Sequence, residues 1–169
     1  TTGGPVCAYL PIGSEPGSPE LVAALHRAGH EVLLPVVPAE PGPLDWAAYT
    51  GPRSLGEGPL GLREPTGERL GPEASVPGSA VGRRKEAIAR ARLVLVPGLA
   101  VDRRGVRLGR GAGYYDRTLQ LAAPDVPIII VLNDEELVDR LPAEPHDRPV
   151  TGALLSGAGL VTLGNNGRP

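Results

Sequence analysis

The chain contains no methionine, not even at position 1, and only one cysteine, Cys7. A lone cysteine excludes a disulfide framework and a thiolate cluster for zinc. Its place in an apolar run makes it a small core residue in a reducing, cytoplasmic setting. The first residues show no charged region followed by an apolar one, as a secretory leader would. Together with the missing methionine, this gives the expectation that the native N-terminus is processed or lies outside the sequence. Long hydrophobic runs are absent too. The apolar stretches Val32–Val37, Leu93–Val96 and Ile128–Leu132 are too short to cross a bilayer, so no membrane partner is expected. Net charge is only -2 with a pI near 5.9. No positive field exists to hold a polyanion, which excludes nucleic acid as a partner. Neither an internal repeat nor a run of like charge is present.

What remains is a chain of 169 residues with 24 glycines and 20 prolines. That length suits one domain spanning 1–169 and one core. The glycine and proline content approaches the range of disordered chains, but the compact apolar runs between the clusters are those of a globular protein. Val6–Pro11 reads as a buried strand. Ser18-Pro19-Glu20 supplies an N-cap and a first-turn proline for a helix to about Ala28, and Gly29 stops it before a strand at Glu31–Val37. From Pro38 to Gly82 turn residues dominate, with short strands possible at Asp45–Tyr49 and Leu60–Arg63. So long an irregular stretch in a compact domain lines a site or moves. Helices are expected at Arg83–Ala91, at Gly113–Ala122 and from an Asp134 cap to Asp139, and strands at Leu93–Pro97 and Pro127–Leu132. This alternation predicts an α/β fold: three layers, with a mainly parallel, Rossmann-like sheet flanked by helices. Ligands would then bind beyond the carboxyl ends of the strands, after Val96 and Leu132.

The most informative stretch is Arg107-Leu108-Gly109-Arg110-Gly111-Ala112-Gly113-Tyr114-Tyr115-Asp116. Three glycines at alternate positions join a strand to a helix, with arginines beside them. Glycine lets backbone amides approach an anion, the following helix N-terminus adds partial positive charge, and Arg107 and Arg110 can fork onto phosphate oxygens. The spacing matches neither the dinucleotide-binding fingerprint nor a Walker loop. The competing reading is a glycine-rich turn with solvated arginines and two tyrosines packed as helix core. It leaves the concentration of charge, glycine and aromatics unexplained.

The same region, from Val94 to Leu119, resembles the signature of the 5-formyltetrahydrofolate cyclo-ligase family, PGLAFD followed by RLG-x-G-x-GYYD. Further matches are Tyr9-Leu10-Pro11 with Glu15-Pro16, Leu34-Pro35, Glu64-Pro65 and Leu141–Asp147, in order over nearly the whole chain. Val101 stands where the family has phenylalanine, and Gly17 where it has an acidic residue. The resemblance implies an enzyme of the sheet architecture shared with sugar-phosphate isomerases and CoA transferases. It would use ATP and Mg2+ to cyclise a small-molecule folate and work as a monomer. It also implies a preceding helical segment, with a Lys and an Arg on ATP, that this sequence lacks.

By the same resemblance Arg107 through Tyr115 hold the ATP phosphates, Arg110 through Tyr114 also face the folate, and Asp116 and Asp147 serve Mg2+. Arg110 and Tyr114 are the catalytic candidates, Arg110 as the principal electrostatic catalyst between Gly109 and Gly111. Ile12 and Glu15 align with a substrate-contacting segment. Trp46 offers stacking surface for a pterin and equally suits the core. For Asp116 a first-turn helix carboxylate, and for Asp147 a loop cap, are the structural alternatives. Two other readings remain open: an enzyme or binding protein for a phosphorylated metabolite, and a module that has kept the fold and lost catalysis.

Overall fold

A computed structural model describes residues 3–58, 61–67 and 87–164. Seven strands form the central sheet, in the order β12-β11-β9-β6-β1-β2-β3. They are β1 (Val6–Cys7), β2 (Val32–Val36), β3 (Asp45–Tyr49), β6 (Leu93–Val96), β9 (Ile128–Leu132), β11 (Gly152–Leu155) and β12 (Gly159–Thr162). The inner five, from β2 to β11, run parallel, while β3 and β12 close the edges antiparallel. The expected mainly parallel α/β sheet is therefore the observed one.

Strands buried on both faces must be apolar at every position rather than alternately. Val94 and Val96 belong to one core cluster and Leu95 to the other; likewise Leu33 faces one side and Val32 and Leu34 the other. Helix α1 (Pro19–Arg27) covers one face through Val22. Helix α2 (Tyr114–Leu119) and residues 87–91 cover the other through Leu119, Ala87 and Ile88. Each fully buried Leu or Ile contributes about 2 kcal/mol, so this sandwich holds the fold together.

The start of α1 is as expected: Ser18 accepts the Leu21 N–H on its hydroxyl and Pro19 occupies the first turn. Elsewhere the elements are shorter. The regular part of α2 ends at Leu119, because Arg148 donates to the Leu119 and Ala122 carbonyls and so substitutes for further helical turns. No helix runs from Asp134 to Asp139. A single 3-10 turn at Asp134–Glu136 leads straight into β10 (Leu137–Val138). The Asp134 carboxylate instead accepts the Gly157 and Ala158 N–H groups, pinning the β11–β12 hairpin. Of the helix expected at Arg83–Ala91, residues 87–89 are helical and 83–86 lie outside the described residues. In the long segment, β3 spans the residues expected. The second strand is β5 (Arg63–Pro65) rather than Leu60–Arg63, and it pairs with β4 (Leu55–Glu57).

A second small sheet, β10-β7-β8, holds β7 (Ala100–Asp102) between β10 and β8 (Arg107–Leu108). Its organising group is Asp102, whose carboxylate is fully buried. Oδ1 accepts the Arg104 and Val106 N–H groups at 2.9 and 3.0 Å. Oδ2 accepts from Arg104 Nε and Nη2 at 3.0 and 2.7 Å and from Leu141 N at 3.0 Å. This network shapes the β7–β8 turn and ties it to the chain after β10. It therefore sets where β8 delivers the glycine loop. Burial alone would raise the Asp102 pKa, but the donors from Leu141, Arg104 and Val106 outweigh it and hold the carboxyl below its ordinary value.

Replacing Asp102 by alanine strands several buried donors, so a loss of about 3–5 kcal/mol is expected in urea unfolding. Because the folded-state pKa is depressed, the carboxylate's contribution is complete above its unfolded value near 4 and is lost as pH falls through the folded value. Asp102→Asn should consequently flatten the stability loss below about pH 4, read by unfolding midpoints at a series of acid pH values.

Candidate functional site

In an open parallel sheet, ligands bind where consecutive connections leave in opposite directions. That point here lies between β1 and β6, since β2 follows β1 on one side and β6 joins it on the other. A cavity of about 650 Å³ opens beyond their carboxyl ends. It is walled by Tyr9–Ile12 after β1, Pro97–Gly98 after β6 and the glycine loop after β8.

One proline opens it. Val6 N donates to Glu31 O and Ala8 N to Leu33 O. The next rung of this parallel ladder would need an N–H from residue 35, and Pro35 has none. The β1 and β2 chains part there, and Leu34, Pro35 and Val37 become cavity wall. At β6, Gly98 is required for a different reason. A Cβ on it would lie 2.6 Å from Ile130 Cδ1 and 3.1 Å from the Leu108 carbonyl.

The glycine loop lines the opposite side from Gly109 to Gly113. Gly111 (φ 93°) and Gly113 (φ 71°) adopt left-handed conformations that disfavour any side chain. Backbone therefore faces the cavity directly. Arg110 stands on this loop with its side chain 55% exposed, and its Nε is 3.0 Å from Glu15 Oε1. Glu15, 7% exposed, also accepts the Ile12 N–H at 2.9 Å on its other oxygen. The ion pair thus bridges the β1 loop and the glycine loop.

Arg107 is different: its side chain is 7% exposed. Nη1 donates to the Pro97 carbonyl at 3.2 Å, Nη2 to Asp116 Oδ1 at 2.6 Å, and the guanidinium lies 5.7 Å from the Tyr115 ring centre. It staples the two ends of the loop together and fixes them to the β6 terminus. Burial pushes the Tyr115 phenol well above its ordinary range, and the nearby Arg107 charge only partly opposes this. Tyr115 is therefore a neutral wall group. On the outer side of the loop, Arg117 donates to the Ala112 carbonyl at 3.0 Å and lies 5.5 Å from the Tyr114 ring.

The structure brings Ile12, Glu15, Arg107, Gly109 through Tyr115 and Asp116 around one cavity. Leu108 is exposed beside it, its carbonyl accepting Leu99 N. Trp46 takes its core alternative. It pairs with Pro35 in β3, is buried with Leu33 and Val94, and does not line the cavity. Asp147 also lies away from the cavity wall, accepting Glu144 N at 2.7 Å, while its neighbour Arg148 caps the far end of α2 from Asp116. Among the described residues no group of three or more metal-ligating side chains forms. Glu64 on β5 is a wall residue to which the sequence assigned no role. Its signal was the Glu64-Pro65 match to the family in the long irregular segment.

The family model described as the 5-formyltetrahydrofolate cyclo-ligase family matches residues 2–156. A protein of Mycolicibacterium smegmatis named 5-formyltetrahydrofolate cyclo-ligase is 46% identical over 166 residues, 96% of this chain and 78% of that protein. The protein of the same name in Escherichia coli is 31% identical over 151 residues, 88% of this chain and 76% of that one. The solution structure of Aquifex aeolicus 5,10-methenyltetrahydrofolate synthetase superposes with a TM-score of 0.71 at 28% identity, covering 99% of this chain and 75% of that one.

The Arg107 staple is testable without any ligand. Asp116 is half exposed and can resolvate, so Arg107→Met should cost about 2 kcal/mol, chiefly through the Pro97 bond and the packing on Tyr115. Urea unfolding gives the magnitude. Amide exchange should quicken at Gly109–Gly113 more than in β6.

Proposed function

The chain belongs to the 5-formyltetrahydrofolate cyclo-ligase family, a family of ligases, and we propose that it uses ATP and Mg2+ to close 5-formyltetrahydrofolate to 5,10-methenyltetrahydrofolate. The observation that carries this reading is the Arg110–Glu15 bridge. It sets a phosphate-type glycine loop directly across from the β1 loop in one largely apolar cavity.

A formamide oxygen is a poor leaving group, so ring closure needs it converted to a phosphate ester first. The formyl oxygen attacks the γ-phosphorus as ADP departs. N10 then attacks the activated carbon, and phosphate leaves with the former formyl oxygen. Phosphoryl transfer asks of a protein alignment and charge stabilisation rather than a nucleophile. The residues present suit that demand. Side-chain-free Gly109, Gly111 and Gly113 let peptide N–H groups reach phosphate oxygens, and half-exposed Arg110 needs only to leave Glu15 to meet them. Buried Arg107 holds the loop in shape rather than reaching out. Tyr114 lies beside Arg110 on the same wall and serves to position the folate.

Mg2+ keeps most of its water and takes one or two carboxylates, so Asp116, half exposed on the cavity wall, fits as its protein ligand. The ion would supply charge neutralisation to the phosphates. Asp147 fits less well, because it is engaged in its own turn.

The assay is the near-ultraviolet band of the methenyl product with 5-formyltetrahydrofolate, ATP and Mg2+, each omitted in turn. A signal that needs all three supports the reading. ATP binding with no product would point instead to a phosphorylated-metabolite enzyme. Arg110→Ala should lower kcat by about 100-fold or more, far beyond what its loss of stability from unpairing Glu15 explains, while Arg110→Lys, which keeps that charge, should hold the unfolding midpoint and recover part of the rate.

A further inference from the structure

Two buried carboxylates line the cavity, and they are not equivalent. Both oxygens of Glu15 are occupied, one by Arg110 and one by the Ile12 N–H. Glu64 is 8% exposed, and among the described residues its one hydrogen bond is from Val37 N to Oε1, at 3.1 Å. No cation pairs with it among those residues. A carboxylate has about four acceptor sites, so those that Val37 leaves free on this cavity-wall residue are open to a ligand.

The protein has gone to some length to place it. β4 and β5 form a two-stranded ribbon that carries Glu64 to the cavity, and Val37 N reaches it across 27 residues of chain. A Cβ at Gly58 would lie 2.7 Å from both Cγ and Cδ of Glu64, so a side chain there would push the carboxylate from this position. Leu44, Leu55 and Leu62 line the same cavity, as does the neighbouring Arg63. A carboxylate on the wall of a largely apolar cavity is complemented by a ligand that brings two parallel N–H donors.

Resting on the folate reading above, we propose that Glu64 is the specificity residue for the pterin. Its carboxylate accepts the adjacent N3–H and 2-amino donors of the ring, as it would those of any amidine-like edge. This places the 2-amino-4-oxo ring against the β4–β5 ribbon and leaves Arg110 free to serve the phosphates.

The test measures binding without turnover, by titrating 5-formyltetrahydrofolate and its 2-desamino analogue into wild type and Glu64→Gln. Glutamine keeps the volume and can still accept Val37 N, and an unchanged melting temperature verifies the fold. Wild type should prefer the 2-amino compound by about 10- to 100-fold, and Glu64→Gln should lose most of that preference while its affinity for ATP is unchanged. Glu64→Asp, with the same charge one methylene shorter, should recover part of it. If Glu64→Gln keeps the full preference, or weakens both compounds equally, the assignment is overturned. A loss of Mg2+ or ATP affinity instead would overturn it in favour of a cation-side role. Absence of folate binding by wild type itself would sink the functional reading, and Glu64's role with it.

Discussion

The parallel ladder that runs from β2 through β1 to β6 decides where this protein can act. Its rungs bind the strands so closely that nothing enters between them, and on the β2 side it ends at a missing N–H, that of Pro35. Beyond that point the chain after β1 diverges from β2 and β6, and the cavity is what the divergence leaves. The apolar sandwich on either face resists closing it again. Core side chains alternate between two clusters along β2, β6 and β9, so none of these strands can slip by one residue without moving its side chains to the wrong face.

Charge is used sparingly and at fixed points. Asp102 organises the small sheet, Arg107 staples the glycine loop to β6, and Glu15 holds Arg110 across the cavity. The first two groups are buried and each held by more than one partner, which suits scaffolding. Arg110 is half exposed and held by one ion pair, which suits a group that must change partners. Exposure and valence of hydrogen bonding thus separate the supporting charges from the one proposed to work on phosphate, although all of them lie within the same stretch of chain or touch it.

Much of this was legible in the residues. The Ser18-Pro19 cap, the Gly29 stop and the apolar runs predict α1, β2, β6 and β9, because each rests on chemistry within a few residues. The glycine loop likewise declares itself, since left-handed φ values at Gly111 and Gly113 are a local demand. Less legible were elements whose stability is borrowed. β4 and β5 are short and pair with each other, the helix expected after Asp134 gives way to a 3-10 turn once that carboxylate binds the β11–β12 hairpin, and α2 stops where Arg148 takes its carbonyls. In the last two cases a partner more than twenty residues away overrides local propensity.

The amino-acid sequence alone determined the kind of sheet, the position of the anion-type loop and the family resemblance, because these depend on periodicity, backbone freedom and a contiguous motif. Only the tertiary structure decided which of the candidate residues share a cavity. Trp46 went to the core and Asp147 to its own turn, Arg107 became a buried staple, and Glu64, known from the sequence only as part of a Glu-Pro match, came to the wall. The physical reason is that burial and hydrogen-bond pairing are properties of residues distant in the chain. Spacing along a sequence shows which groups are available, whereas desolvation and neighbours settle what each can do.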